Sequence, residues 1–277
     1  MSKESSPITL VLLGSGVRFP AFIGALSAIE EKGLKIGHIV GASAGSIVGT
    51  LYAAGNTPME LKKMAMDIDT SGFRDLSLGS ILRGKGMYSG KALERHVDRL
   101  LEGRRFKDPF RIQPFVVATD ILNNTPFVFS RFNFPDMKVS TSIRFSVGIP
   151  LVFAYKRFRH EGTNHVFVDG NLLAGAVEDM FAGEGKVLVL RVISRRSLNE
   201  RSSTKLTLTR YIKRLLLIMM HAVEKERVRG RVWHDTILIS CGDISPTKFT
   251  IGADEKRYLI EQGYLQTREY LEYKWGV

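Results

Sequence analysis

The first apolar run, Ile8 to Leu13 (ITLVLL), carries no charge and is too short for a buried helix; it predicts a parallel strand buried on both faces. Gly14-Ser15-Gly16 breaks it with a turn. From Ala21 to Lys32 the small and apolar positions Ala21, Ala25, Ala28 and Ile29 recur at helical spacing, which predicts a helix. A second strand, Ile36 to Val40, leads to a helix over Ala44–Ala54, stopped by Gly55-Asn56. This β-turn-α-β-turn-α order predicts a three-layer α/β/α fold with a mostly parallel central sheet. Further helices are expected at Pro58–Asp67, Ser89–Leu101, Asp136–Phe145 and Asp254–Tyr273. Strands are expected at Ile112–Thr119, Pro126–Ser130, Val166–Val168, Lys186–Ile193 and Thr236–Ser240. Gly79–Gly86 (GSILRGKG) reads as a flexible basic loop, a lid on the strength of its glycines.

At 277 residues, 44% of them hydrophobic, the chain can bury a sizeable core. It shows no internal repeat, low-complexity tract or linker, so a single domain over 1–277 is expected. The net charge of +12 adds a basic surface, suited to nucleic acid, anionic membrane or anionic small substrates, or simply to solubility. One cysteine, Cys241, excludes an intrachain disulfide and fits a reduced compartment. The polar start MSKESSP has no apolar core of a secretory signal, and no apolar run approaches the roughly 18 residues of a spanning helix. These features predict a cytoplasmic protein able to touch a membrane peripherally.

Candidate chemistry centres on Gly41-Ala42-Ser43-Ala44-Gly45, a G-x-S-x-G pentapeptide between a predicted strand and helix. Such a corner exposes the serine hydroxyl, Gly41 and Gly45 leave room where strand and helix crowd, and the helix N-terminus faces developing negative charge. The same small residues would also suit a turn made only for close helix–strand packing. A serine needs a base. Of the histidines His38, His96, His160, His165, His221 and His234, none sits in an obvious late strand-end turn. His38 lies inside its strand, His160 and His165 flank Gly162 in a polar loop and read as solvated, and His234 is the best of the six. Asp169 is the stronger base: it ends the run Val166-Phe167-Val168, and Gly170 lets the chain turn so that the carboxylate reaches the strand-end crevice. A plain Asp-Gly turn is the other reading. Gly14-Ser15-Gly16-Val17-Arg18 is not a dinucleotide fingerprint, since Phe19 stands where the last glycine belongs. Its amides could hold a phosphate or an oxyanion. Arg18 either adds positive charge there or braces the loop.

Taken together, LLGSGVRFPAFIGAL, GASAGSIVGTLYAAG and VFVDGNLL resemble the three blocks of the patatin-like phospholipases, lipid acyl hydrolases with a Ser-Asp dyad. RFSVGIPLVF, with Ser146, Ile149, Pro150 and Phe153, is similar to the segment preceding the dyad strand. The likeness runs from Thr9 to about Ile193. It implies Ser43 as nucleophile, Asp169 as base, and the amides of Gly14, Ser15, Gly16 and Val17 as oxyanion hole with Arg18 beside them. Three residues depart from the family pattern: Ser15 for a middle glycine, Phe19 for a glycine after the arginine, and Asn171 for a glycine or alanine after Asp-Gly. A positive φ at Ser15 would carry strain on the order of 1 kcal/mol.

The resemblance implies hydrolysis of fatty-acyl esters of phospholipids or lysophospholipids, without cofactor or metal. The alternatives are an acyltransferase or small-ester hydrolase using the same dyad, and a catalytically inactive lipid-binding relative. Leu206–Val223, apolar with basic interruptions in a segment from Arg191 to Arg231 rich in Arg and Lys, reads either as a core helix with a basic rim or as an interfacial element on anionic lipid. Nucleic acid is disfavoured, because no aromatic interleaving or reader motif is present. The oligomeric state is left open.

Overall fold

A computed structural model describes residues 6–83, 85–173, 185–194, 235–244 and 250–277, together with 181, 211, 214, 215 and 218. Its strands are β1 (Ile8–Leu13), β2 (Ile36–Ala42), β3 (Gln113–Asp120), β4 (Thr125–Phe129), β5 (Lys156–His160), β6 (Thr163–Val168), β7 (Val187–Ile193) and β8 (Thr236–Ser240). Its helices are α1 (Pro20–Glu31), α2 (Ala44–Ala53), α3 (Pro58–Asp67), α4 (Leu78–Leu82), α5 (Lys91–Leu100), α6 (Val139–Ser146) and α7 (Ala253–Tyr270). The sheet runs β5-β6-β3-β2-β1-β7-β8, with β4 pairing β3 off this path. Five of the strands, from β3 through β8 across β2, β1 and β7, are parallel neighbours; β4, β5 and β6 join antiparallel.

β1 is buried along its whole length, and its side chains alternate between two cores. Leu10 and Leu12 face the larger core with α1, α2 and α7, whereas Val11 and Leu13 face a second core with Phe115 and Phe181. The result is a three-layer α/β fold. The layer over the larger core is held unusually close: a Cβ on Gly24 of α1 would lie 1.8 Å from the carbonyl oxygen of Ile260, and one on Gly263 of α7 would lie 1.9 Å from that of Ala21. The two helices therefore cross backbone against backbone. Under β4 and β6, Phe127, Phe129, Phe145, Phe158 and Phe167 form a contiguous aromatic cluster with ring centroids 4.9–6.5 Å apart.

Several expectations need correction. Gly79–Gly86 is not a plain loop, because Leu78–Leu82 is a short helix capped by Ser77, whose hydroxyl accepts from Ser80 N–H. His160 and His165 are not in a solvated loop. They belong to a hairpin, β5–β6, turned at Glu161-Gly162, where both residues have positive φ. His165 is only 8% exposed; its Nδ1 pairs with Asp120 Oδ2 at 2.7 Å and its ring stacks on Phe167. Burial alone would raise the Asp120 pKa, but bonds from Asn123, His165 and two backbone amides outweigh it and hold the carboxyl below its usual range. α6 begins at Val139 rather than Asp136. The residues before it pair with the 104–107 segment instead, Lys107 N–H donating to Pro135 O and Phe106 N–H to Met137 O. The basic, partly apolar stretch Leu206–Val223 lies almost wholly outside the described residues, as do His221 and His234.

Candidate active site

β2 delivers Ser43 to its carboxyl end, and α2 departs at once. The corner is tight enough to force Ser43 to φ 54°, ψ −133°, a region that costs a non-glycine residue on the order of 1–3 kcal/mol. Its small neighbours are dictated by space: a Cβ on Gly41 would lie 2.4 Å from Ser46 Cα, and one on Gly45 would lie 2.4 Å from Leu12 O. Ser46 Oγ donates to Ser43 O at 2.6 Å, and Ser43 N–H donates to Ser146 Oγ at 2.8 Å. Ser146 Oγ in turn donates to Val117 O at 2.5 Å. The strained corner is thus pinned to α6 and β3.

Asp169 arrives from the other direction. β6 runs antiparallel to β3, with Val168 opposite Thr119, so the residue after β6 lies back towards the strand ends where Ser43 stands. A Cβ on Gly170 would sit 2.0 Å from Val117 O, so the chain turns there hard against β3. Ser43 Oγ donates to Asp169 Oδ2 at 2.7 Å, although 126 positions separate the two residues. Asp169 Oδ1 accepts from Asn171 N–H at 3.0 Å, and Asp169 N–H donates to Gly148 O at 2.9 Å. Ser43 is 4% and Asp169 6% exposed. Burial pushes the Asp169 carboxyl up to about 6, against the opposing pull of the bonds from Ser43 and Asn171.

The glycine turn lies alongside. Gly14, Ser15 and Gly16 have φ of 64°, 117° and 55°, so Ser15 does occupy the left-handed region. Arg18 N–H donates to Ser15 O and Phe19 N–H to Gly16 O, closing a short 3-10 turn whose first amides, at Gly16 and Val17, have no acceptor within it. Arg18 is buried and braces the turn: Nε donates to Ser15 O at 3.1 Å and Nη2 to Val192 O at 3.2 Å. Asn171 packs on Gly14, its amide nitrogen 2.7 Å from where a Cβ would be.

Two spaces meet at Ser43. One is a crevice of about 40 Å³, bordered by Gly14, Ser15, Gly16, Arg18, Asp169 and Arg191. The other is a cavity of about 1120 Å³ with an almost wholly apolar wall, including Val17, Phe19, Ile47, Leu51, Leu93 and Phe153. Ser43, Gly16 and Ile149 border both.

A family model, Patatin-like phospholipase, matches residues 10–181, which is more than half of the chain. The chain belongs to the patatin-like phospholipase family. Membership makes it an enzyme of the lipid ester hydrolase class. It is 27% identical over 282 residues to the uncharacterized protein YqhO of Bacillus subtilis (strain 168), covering 95% of this chain and 97% of that one. It is 29% identical over 176 residues to the probable lipid hydrolase 463L of Invertebrate iridescent virus 6, covering 59% of each. Among solved structures, VipD from Legionella pneumophila shares the fold at TM-score 0.62 and 15% identity, over 98% of this chain and 67% of that one. The type III effector ExoU does so at TM-score 0.55 and 16% identity, over 53% of its own length.

Of the family blocks, the structure brings Ser43, Asp169 and the Gly14–Val17 turn around one point. The described histidines do not join them: His38 packs edge-on against Phe115, His160 sits in β5, His165 is paired with Asp120, and His96 lies in the cavity wall against Phe73. Residue-by-residue reasoning missed three neighbours. Ser146 pins the corner, Asn171 bridges Asp169 and Gly14, and Arg191 borders the crevice from the end of β7 rather than belonging to a membrane-facing basic run. Ser146 carried a sequence signal in its place in RFSVGIPLVF, and Asn171 in its departure from the family pattern after Asp-Gly, but neither signal gave the contact.

Proposed function

We propose that the protein is a serine hydrolase that cleaves fatty-acyl esters of phospholipids or lysophospholipids through a Ser43-Asp169 dyad. The observation that carries this reading is the 2.7 Å bond between Ser43 Oγ and Asp169 Oδ2 at the point where a narrow crevice, edged by Arg18, Asp169 and Arg191, meets a large apolar cavity. The acyl chain lies in the cavity, where each buried methylene contributes about 0.8 kcal/mol. The polar remainder of the lipid extends away from it. As Ser43 Oγ attacks the ester carbonyl, Asp169 takes its proton. The tetrahedral oxyanion rests on amides of the Gly14-Ser15-Gly16-Val17 turn, each such donor being worth about 3 kcal/mol. The proton passes to the leaving alcohol, and water activated by the same carboxylate releases the fatty acid. Arg18 keeps the turn in shape, and Gly41, Gly45 and Gly170 allow the chain crossings that bring the two side chains together. The elements from β1 through α7 act as one domain.

The raised Asp169 pKa supports the assignment of a base: a carboxylate of pKa about 6 is ionised at neutral pH yet more basic than an exposed one. The experiment is labelling with a fluorophosphonate, followed by analysis of products from a mixed lipid extract. Labelling of the wild type but not of Ser43→Ala, with fatty acid released only by the wild type, is expected. Equal labelling of both proteins rejects Ser43 as nucleophile.

A further inference from the structure

Around the open end of the cavity, three short segments are zipped side by side. Ser77 N–H donates to Met87 O, Met87 N–H to Leu151 O, Tyr88 N–H to Val152 O, and Ala154 N–H returns to Tyr88 O. α4 rides on this ribbon. Buried Arg144 ties its base, its Nη2 donating to both Ser89 O and Ala154 O. Against this ordered backbone, the side chains contradict ordinary burial. Leu76, Leu78 and Leu82 are 70%, 76% and 86% exposed, and Ile81, Met87 and Leu151 are also exposed. The last three line the apolar cavity as well. The rim is therefore continuous with the wall of the space that reaches Ser43. A cluster of large apolar side chains held out by hydrogen-bonded backbone marks a contact surface.

We infer that this rim, Leu76 to Met87 with Leu151, is the surface by which the enzyme docks on an anionic lipid bilayer. The inference rests on the proposed lipid hydrolase reading, since a cavity meant for an acyl chain must open where the chain comes from. Charge favours an anionic layer. Exposed Arg83 follows α4, and Lys85 and Arg157 flank Tyr155, 5.8 and 6.0 Å from its ring. From Leu76 to Met87 the sequence holds no acid; the nearest before it are Asp67 in the cavity wall, Asp69, bonded by Ser71, and Asp75, bonded by Ser89, Gly90 and Ala92. Leucines that enter the acyl boundary beside cations that stay at the headgroups are the two halves of interfacial binding.

The test compares wild type, Leu78→Ser/Leu82→Ser and Arg83→Glu, none of which changes a residue of the site. Co-sedimentation is measured with phosphatidylcholine vesicles and with vesicles containing phosphatidylserine, alongside turnover of a water-soluble short-chain ester and the sedimentation coefficient of each protein. The wild type is expected to bind the anionic vesicles, less so in high salt. Each variant should bind about tenfold more weakly, with short-ester turnover and helical CD unchanged. Vesicle binding by the leucine variant equal to wild type overturns the inference, as does equal wild-type binding to both vesicle types. A wild-type dimer dissociated by the leucine changes, with vesicle binding intact, also overturns it and makes the rim a self-association face. No wild-type turnover of the short ester would count against the hydrolase reading instead, while vesicle binding would still decide the docking surface.

Discussion

Asp169→Asn tests the cost of keeping a charge in the site. The carboxyl is buried and its pKa stands at about 6, against 3.8 for the ordinary group. A folded-state pKa above the unfolded one means that the folded protein holds the proton more tightly. The stability from this group is thus fully present below about pH 3.8 and is lost as pH rises through about 6. The loss is about 2 pKa units at 1.36 kcal/mol each, or about 3 kcal/mol at pH 8. An amide of the same shape removes that charge. Its oxygen still accepts from Asn171 N–H, and its nitrogen donates to Ser43 Oγ, which reverses its role. Weaker neutral hydrogen bonds take back about 1 kcal/mol. Asp169→Asn is therefore expected to be about 2 kcal/mol more stable than wild type at pH 8 while losing about 10²–10⁴-fold in kcat. Urea unfolding at the two pH values reads it. The gap between variant and wild type should narrow by about 1.4 kcal/mol on moving to pH 5. A variant no more stable than wild type at pH 8, or a gap that does not change with pH, refutes the reasoning.

Three other outcomes follow from the same geometry. The rate, kcat/KM, should rise tenfold per pH unit below about 6 and level above it, because only the ionised Asp169 can take the proton; a flat profile through that range rejects Asp169 as base. Ser146→Ala removes both the acceptor of Ser43 N–H and a donor to Val117 O, and should cost about 1–3 kcal/mol of stability and lower kcat more than it raises KM; thermal unfolding and steady-state kinetics measure the two effects. Gly24→Ala should destabilise by at least about 1–3 kcal/mol, since its methyl meets the Ile260 carbonyl rather than a movable side chain; unchanged urea midpoints would show that α1 and α7 do not cross as closely as described.

Much of the fold was legible because burial on both faces leaves a plain mark. Ile8–Leu13 was readable to the residue, and α3 was expected at the bounds it has, Pro58–Asp67, its first turn closed in the structure by a Thr57–Glu60 capping box. Where local signals competed with tertiary ones, reading failed. Glycines at 79, 84 and 86 suggested a loop, yet Ser77 caps a helix, Leu78–Leu82, that runs through Gly79. Asn164 and His165 look polar in isolation, but β6 buries the histidine among phenylalanines because Asp120, far away in sequence, supplies its partner. The two site residues were visible as corners, Ser43 before a helix and Asp169 before a glycine. Their separation was not visible, because it depends on β6 running antiparallel to β3, and no residue in either strand announces that pairing. The cavity was equally invisible, since its wall draws on α1, α2, α3, α5 and the 147–153 segment at once.

The position of β1 has a consequence for how the chain is made. It is synthesised before both of its neighbours, and it ends up between β2, which follows within some thirty residues, and β7, which begins at Val187. One of its edges therefore stays open until β7 has been synthesised, and from Leu13 to Val187 at roughly 5–20 residues per second that is a wait of many seconds. A nascent fragment ending before Val187 would carry a row of bare amides and carbonyls flanked by valine and leucine, and is expected to lean on chaperones or aggregate. The strand at the heart of the finished enzyme is thus its most vulnerable part during birth.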